Sequence, residues 1–227
     1  MSSLDQVRQH FDRDAARFDA IYAKEKSRGS RFVDAFRRVV VQRFELVRVL
    51  APLPGRWSVL DVGCGSCRYG LALARQGAAK VVGIDVSSAM LDMARAEVEQ
   101  AGLADAFELV AGDFLGYRTS ERFEAVLAMG YFDYLREPLP HLAQMKALCA
   151  GRLFASFPKR WEWRVPIRRL RFQFTRGYVR FYSRREVEAL LRAAGLTEAQ
   201  AQLIDMGRDW ILVANCLPTP AAAGEAR

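Results

Sequence analysis

Short apolar runs alternate with longer segments of mixed polarity through most of the chain. From Trp57 onward, helix-length segments separate five such runs, near residues 57–62, 80–85, 106–111, 123–129 and 151–157. This alternation predicts right-handed β-α-β crossovers, and therefore a parallel sheet with helices on both faces. Two further runs, near residues 199–206 and 209–215, are separated by only Gly207 and Arg208. So short a connection requires an antiparallel pair at the end of the sheet.

Two amphipathic segments precede this alternation. Residues 3–27 mix aromatic and charged positions and predict a helix, which on this pattern alone fits any protein surface. The second segment predicts a long helix that ends before Pro52, because its apolar residues recur at spacings of three and four. These residues are Phe32, Phe36, Val40, Phe44 and Val47. We expect them to face the core.

The first apolar run stops in a glycine-rich turn, residues 61–67, with the sequence DVGCGSC. Gly63 and Gly65 allow the backbone to turn tightly and to approach a ligand closely. The next run ends in Asp85, where a carboxylate can accept both ribose hydroxyls of an adenosine ligand. A dinucleotide fingerprint needs a third glycine where this chain has Arg68, which disfavours a nicotinamide cofactor.

The turn resembles motif I, D/E-x-G-x-G-x-G, of the class I S-adenosylmethionine (SAM) methyltransferases, with Asp61, Gly63 and Gly65 in place and Cys67 at the last glycine. The resemblance implies a Rossmann-like α/β fold whose seven-stranded sheet is mostly parallel, with an antiparallel C-terminal hairpin. It also implies SAM as cofactor, S-adenosylhomocysteine as product, and no metal. We therefore expect an N-terminal helical lid and packing helix over residues 1–54, a methyltransferase domain over 55–217 and a flexible tail over 218–227.

The resemblance continues at the ends of the next strands. Residues 85–91, DVSSAML, resemble the helix start of the family, with Ser87 as N-cap and Met90 near the adenine. By the same resemblance, Asp113 contacts the adenine amino group and Phe114 the ring. Each residue also has a purely structural interpretation, as a helix cap or as core. The implied cofactor-binding residues are Asp61, Gly63, Cys64, Gly65, Asp85, Val86, Met90, Asp113, Phe114 and Met129.

Methyl transfer from a sulfonium depends mainly on placing the acceptor in line with the leaving sulfur. A general base is needed only if the acceptor arrives protonated, as a phenol or an alcohol does. The candidate catalytic residues near the end of strand four are Tyr131, Asp133 and His141, and the sequence leaves the base unassigned. Tyr22 and Tyr134 are candidates for acceptor binding. The Asn/Asp-Pro-Pro-Tyr/Phe motif of amino methylation is absent after strand four, which favours an oxygen or carbon acceptor.

A basic, aromatic insert over residues 158–182 follows strand five. Residues 159–185 hold ten Lys or Arg and one Glu, a local charge of +9 within a chain of net charge +8. The insert predicts an acceptor pocket for a small or lipid-like anion, in which Arg168, Arg169 and Arg171 bind the acceptor. Three alternatives remain open: a peripheral membrane patch over residues 159–185, a nucleic-acid surface, which is the least favoured partner, and a solvated arginine-rich helix.

No apolar run reaches the roughly 20 residues of a membrane helix, and the N-terminal residues lack the pattern of a signal peptide. We therefore expect a cytoplasmic protein, with membrane contact only through the basic insert. Cys64 and Cys67 have no second C-x-x-C pair and are interpreted as small residues of the turn. We expect Cys149 and Cys216 to lie in the core.

The layout most resembles the magnesium-protoporphyrin and ubiquinone-type O-methyltransferases. It predicts methyl transfer from SAM, most readily to an oxygen. The alternatives are a catalytically silent SAM-binding protein and an RNA methyltransferase. The oligomeric state stays unassigned.

Overall fold

The computed structural model describes residues 12, 31–52, 54–160 and 178–217. For residues 31–40 it describes the backbone alone. Within these residues the helices are α1 (Arg31–Leu50), α2 (Arg68–Ala74), α3 (Ser88–Gln100), α4 (Pro138–Leu148) and α5 (Arg184–Ala193). The strands are β1 (Trp57–Val62), β2 (Ala78–Asp85), β3 (Phe107–Ala111), β4 (Phe123–Ala128), β5 (Cys149–Pro158), β6 (Ala201–Asp205) and β7 (Asp209–Asn215).

The strands form one seven-stranded sheet in the order β3-β2-β1-β4-β5-β7-β6. The pairs from β3 through β5 are parallel, whereas β7 runs antiparallel to both β5 and β6. This order confirms the predicted Rossmann-like sheet with its antiparallel C-terminal pair. The chain order reverses between β1 and β4, so the carboxyl ends of these two strands border the crevice in which open α/β sheets bind ligands.

The centre of the sheet is apolar on both faces, as expected for strands covered by helices on either side. Alternate residues of β1 enter different cores, with Leu60 and Val62 on one face and Val59 on the other. All three side chains are fully buried. The near-continuous apolar runs of the sequence therefore reflect burial on both faces.

Helix α1 packs against one of these faces through its C-terminal half. Val47 is 1% exposed, and Phe44 packs partly buried against the same core. The predicted stripe is therefore buried where its side chains are described. The opposite side of the helix presents Val41 and Val49 to solvent.

A buried ion pair also joins α1 to the sheet. The Arg43 Nε donates to Asp209 Oδ2 at 3.0 Å, and Asp209, the first residue of β7, is 2% exposed. A carboxylate so completely removed from water depends on its cationic partner. The pair thereby fixes where α1 lies along the sheet.

The two flanks of the basic insert lie side by side. The Tyr182 N–H donates to the Pro158 carbonyl at 2.7 Å, and the Arg160 N–H donates to the Tyr182 carbonyl at 2.9 Å. The acceptor candidates Tyr22, Arg168, Arg169 and Arg171 and the predicted tail over 218–227 lie outside the described residues. Among the described helices, none combines the length and the apolar character that a membrane crossing requires.

Replacing Arg43 by Ala should lower the free energy of unfolding by about 3–5 kcal/mol, because the buried Asp209 carboxylate loses its cation. The matched control is Arg48→Ala on the same helix, since Arg48 pairs with Glu45 at 2.8 Å on the exposed side. That change should cost at most about 1 kcal/mol. Urea unfolding of both variants measures the difference, and equal losses would contradict a structural role for the buried pair.

Candidate active site

The turn after β1 is built on left-handed backbone conformations. Gly63, Gly65 and Cys67 have φ values of 66°, 54° and 56°. The N–H groups of Gly63 and Cys64 both donate to the carbonyl of Ile84, at 2.8 and 3.1 Å, and so attach the turn to the end of β2. A left-handed non-glycine residue costs about 1–2 kcal/mol. The strain at Cys67 falls where the motif ordinarily has its last glycine.

Asp85, the last residue of β2, joins the turn to helix α3. Its Oδ2 accepts the Gly65 N–H at 2.8 Å, and its Oδ1 accepts the Ser87 N–H at 2.9 Å. Burial raises the pKa of Asp85, and these N–H bonds oppose that rise. A carboxylate oxygen can accept more than one hydrogen bond, so both oxygens of Asp85 can still accept hydrogen bonds from ribose hydroxyls.

Ser87 is the N-cap of α3, as the sequence predicted, because its Oγ accepts the Met90 N–H at 3.2 Å. The same hydroxyl donates to Asp12 Oδ1 at 2.6 Å. The sequence interpretation did not single out Asp12. The available signal was the resemblance of its segment to a lid, and the structure places this residue at the exit of β2.

Asp61 lies beneath the turn and is only 2% exposed. Burial raises its pKa to about 7, while the backbone N–H of Gly70 that it accepts has the opposite effect. The Cys67 Sγ lies 4.0 Å from Asp61 Oδ2. In this structure the carboxyl therefore supports the start of α2, and its predicted contact with the cofactor stays a prediction.

The other predicted cofactor residues surround the same turn. Val86 is half-buried between Asp85 and Ser87, and the Met90 sulfur lies 4.0 Å from the position that a Cβ at Gly65 would take. At the exit of β4, Met129 is 9% exposed. These positions suit a cofactor that spans the carboxyl ends of β1 and β2.

At the exit of β3, the structure gives Asp113 and Phe114 the structural roles that the sequence also allowed. Asp113 caps the turn that follows, since its Oδ1 accepts the Leu115 N–H at 3.3 Å. Phe114 is 2% exposed and its ring stacks on His141, with centroids 6.4 Å apart. The predicted contacts of these two residues with the adenine stay predictions, and Phe114 has a clear structural role in the core.

Tyr131 and His141 form a hydrogen-bonded pair that joins the exit of β4 to helix α4. The Tyr131 Oη lies 2.8 Å from His141 Nδ1. Burial lowers the pKa of His141, against the opposing effect of Asp113. Burial also raises the pKa of Tyr131, with a further rise from Asp113 and Asp85. At neutral pH the pair therefore consists of a neutral imidazole and a protonated phenol.

The pair lies directly against the cofactor turn. A Cβ on Gly63 would come within 2.6 Å of Tyr131 Cδ2, so the ring occupies the space that any larger residue at position 63 would need. Asp133, the third catalytic candidate, is 6% exposed, and its carbonyl accepts the Arg180 N–H at 2.8 Å. Tyr134 is half-buried in the same short turn. The structure thus brings two of the three catalytic candidates into direct contact.

Comparison with known proteins assigns the class. Residues 59–150 match the family described as a methyltransferase domain. The sheet order, the turn after β1 and this match together define a class I SAM-dependent methyltransferase domain, a class whose cofactor is SAM. The class and cofactor predicted from the sequence are confirmed.

Within that class, the similar proteins include named O-methyltransferases. The ubiquinone biosynthesis O-methyltransferase of Actinobacillus pleuropneumoniae is 36% identical over 104 residues, which are 43% of this chain and 44% of that protein. The enzyme of the same name from Ralstonia nicotianae is 29% identical over 172 residues, 70% of each. The chain thus spans less than half of the first of these relatives.

A solved structure of magnesium protoporphyrin IX methyltransferase from Synechocystis with bound S-adenosylhomocysteine has the same fold. The TM-score is 0.75 at 20% identity, over 92% of this chain and 97% of that one. Both branches that the sequence layout resembled are therefore represented among these similar proteins.

Gly63→Ala should weaken SAM binding at least tenfold, because the new methyl group would displace the Tyr131 ring and strain the turn. The control is Gly102→Ala, where φ is also 66° but nothing lies within 4 Å of the added carbon. Both variants bear the same backbone strain of about 1–2 kcal/mol. Calorimetric titration with SAM separates them, and equal affinities would contradict the proposed importance of the Tyr131 contact.

Asp61→Asn should remove a pH dependence of stability. The folded pKa of Asp61, about 7, lies above its ordinary 3.8, so the folded state retains a proton that the unfolded state has released. Stability from this group is complete below about pH 4 and is lost as the pH rises towards 7. The wild type should therefore lose about 1.4 kcal/mol per pH unit relative to the variant over that interval. Urea unfolding without ligand at several pH values tests this, and parallel profiles would refute it.

Proposed function

We propose that the protein transfers a methyl group from SAM to an oxygen of a small or lipid-like anionic acceptor, with His141 as the base that takes the acceptor proton and Tyr131 as the residue that orients His141. The single observation that carries the proposal is the hydrogen-bonded Tyr131–His141 pair lying against Gly63 of the cofactor turn. The cofactor, held by the turn and by Asp85, supplies an electrophilic methyl group when bound. An oxygen bound by the pair would lie beside that turn.

His141 has the properties that a general base for this reaction requires. When Nδ1 carries the proton, it donates to Tyr131 Oη, and Nε2 is left with a lone pair for the acceptor hydroxyl. The lowered pKa of His141 keeps the imidazole neutral at physiological pH. Tyr131 remains a phenol, so it fixes the ring orientation of His141 without competing for the proton.

The position of the basic insert supports an anionic acceptor. Its C-terminal flank packs on the exit of β4: the Tyr182 Oη donates to the Phe132 carbonyl at 3.0 Å, and the Arg180 Nη1 donates to the Arg136 carbonyl at 2.8 Å. The insert therefore begins and ends beside the residues that follow β4. Its charge of +9 over residues 159–185 favours a carboxylate or phosphate on the acceptor. Membrane contact through the same residues stays a prediction.

The relatives support oxygen as the acceptor atom. The ubiquinone biosynthesis enzymes are similar to this chain over 104 to 172 residues, and their name specifies O-methylation. Acceptors of two kinds fit this chemistry: a phenol, which needs a base, and a carboxylate, which needs none. The two kinds of acceptor are distinguished by whether methyl transfer depends on His141: transfer to a phenol should, and transfer to a carboxylate should not.

His141→Ala should lower kcat/KM for a phenolic acceptor by about 10²–10⁴, the usual contribution of a general base, with SAM affinity unchanged. Tyr131→Phe should produce a smaller loss, because it removes only the orienting hydroxyl. For the wild type, kcat/KM should fall on acidification only below the ordinary histidine pKa of 6.5, as His141 takes up a proton. The measurement is transfer of labelled methyl from SAM to a panel of phenols and to magnesium protoporphyrin IX.

Three outcomes separate the hypotheses. Transfer to a carboxylate with unchanged activity of the His141 variant would leave the pair a positioning role only. SAM binding by calorimetry without transfer to any acceptor would favour the catalytically silent alternative. Methylation of transfer RNA in preference to small molecules would favour the RNA methyltransferase.

A further inference from the structure

We propose that Cys149 and Cys216 form a redox-reactive thiol pair that undergoes exchange with low-molecular-weight disulfides such as glutathione disulfide. In this pair Cys216 is the attacking sulfur and Cys149 the resolving one. The pair lies outside the cofactor site, and the proposed methyl transfer does not use it.

The fold brings together two thiols that are far apart in the sequence. Cys149 is the first residue of β5 and is fully buried, whereas Cys216 directly follows β7 and is half-buried. The Cys216 N–H donates to the Gly151 carbonyl at 2.6 Å, which holds it beside the start of β5. Both side chains belong to the same core on one face of the sheet, with Cys149 inside it and Cys216 packed against it. A resolving thiol thus lies on the same face of the sheet as the more accessible one.

Two cations lie beside the pair. Arg122 donates from Nη2 to the Cys149 carbonyl at 2.6 Å. Lys146 is in the last turn of α4, the helix that ends just before Cys149. The interaction with Cys149 lowers the pKa of Cys216, and Lys146 and Arg122 lower it further, against the effect of burial. The interaction with Cys216 and burial raise the pKa of Cys149. Because Cys216 is also the more exposed of the two thiols, it is the attacking sulfur, and it reacts as a thiolate.

The other two cysteines provide an internal contrast. Cys64 and Cys67 also lie together, each Sγ 3.1 Å from the position that a Cβ at Gly83 would take, but both are buried. Their neighbours are the carboxyls Asp61 and Asp85, and the pKa of each thiol is raised, by burial among other causes. Buried thiols next to acids are poor nucleophiles. The chain thus contains one reactive pair and one inert pair.

The exchange proceeds in two balanced steps. The Cys216 thiolate attacks one sulfur of glutathione disulfide, forming a mixed disulfide and releasing one glutathione thiolate. The Cys149 thiol then gives its proton to the released glutathione thiolate and attacks Cys216, which releases the second glutathione as a thiolate that takes up a proton from water. One disulfide forms in the protein, and one glutathione disulfide is reduced to two thiols. Because Cys149 is at the amino end of β5, the bond forms at the edge of the sheet opposite to the cofactor turn.

Mass spectrometry tests the pairing directly. The intact protein is treated with glutathione disulfide at pH 7.5, alkylated and digested with trypsin without reduction. The expected product links the peptide of residues 147–152 to that of residues 209–227, while the peptide of residues 57–68, which holds Cys64 and Cys67, is recovered alkylated. Oxidation within residues 57–68 at the same rate, or no linked peptide, would overturn the proposal.

Variants then assign the two roles. Cys149→Ala should stop the reaction at a stable glutathione adduct on Cys216, and Cys216→Ser should leave Cys149 unmodified. Lys146→Met should shift the pH midpoint of Cys216 alkylation upwards and slow the reaction at pH 7 several-fold. Arg75→Met, a change at an exposed arginine after α2, is the control and should leave both unchanged. An unshifted midpoint in the Lys146 variant, or rapid modification of Cys149 without Cys216, would contradict the assigned roles.

Discussion

The site depends most on the carboxylate of Asp85. The side chain of Asp85 accepts N–H groups from the turn after β1 and from the start of α3. The backbone carbonyl of the same residue accepts the Gly112 N–H after β3 at 2.9 Å. One residue therefore connects the exits of three strands. A partly desolvated carboxylate is costly without such donors, so these bonds stabilise the charge as well as the geometry. The shape of the cofactor crevice follows from this connection.

The fold was largely predictable because its signals are local. Each strand of the parallel sheet is a short apolar run, and the predicted bounds differ from the observed ones by at most a few residues, as at β2, which begins at Ala78. The short connection before β7 also fixed the antiparallel pair. By contrast, the buried contact of Arg43 with Asp209 joins residues far apart in sequence. No periodicity indicates which of the chain's many arginines meets which acid.

The site was predictable where a residue acts through its own backbone, as at Gly63, and less so where tertiary packing decides. Tyr131 and His141 were separate candidates, and only the placement of α4 against the exit of β4 brings their polar atoms together. The same placement also stacks the ring of Phe114 on His141, a contact that the resemblance to the family did not indicate. Asp12 was not singled out, because its contact with Ser87 joins two distant segments.

The backbone pairing between Pro158 and Tyr182 has an evolutionary consequence. The chain leaves the sheet and returns to it at almost the same point, so the sheet does not depend on what the intervening residues are. Because the two ends of the insert lie side by side, even a doubling of its length costs only about 0.6 kcal/mol in loop-closure entropy. On the proposed role of the insert in acceptor binding, substrate preference can therefore diverge by exchange of the insert alone, while the cofactor half of the molecule is inherited intact.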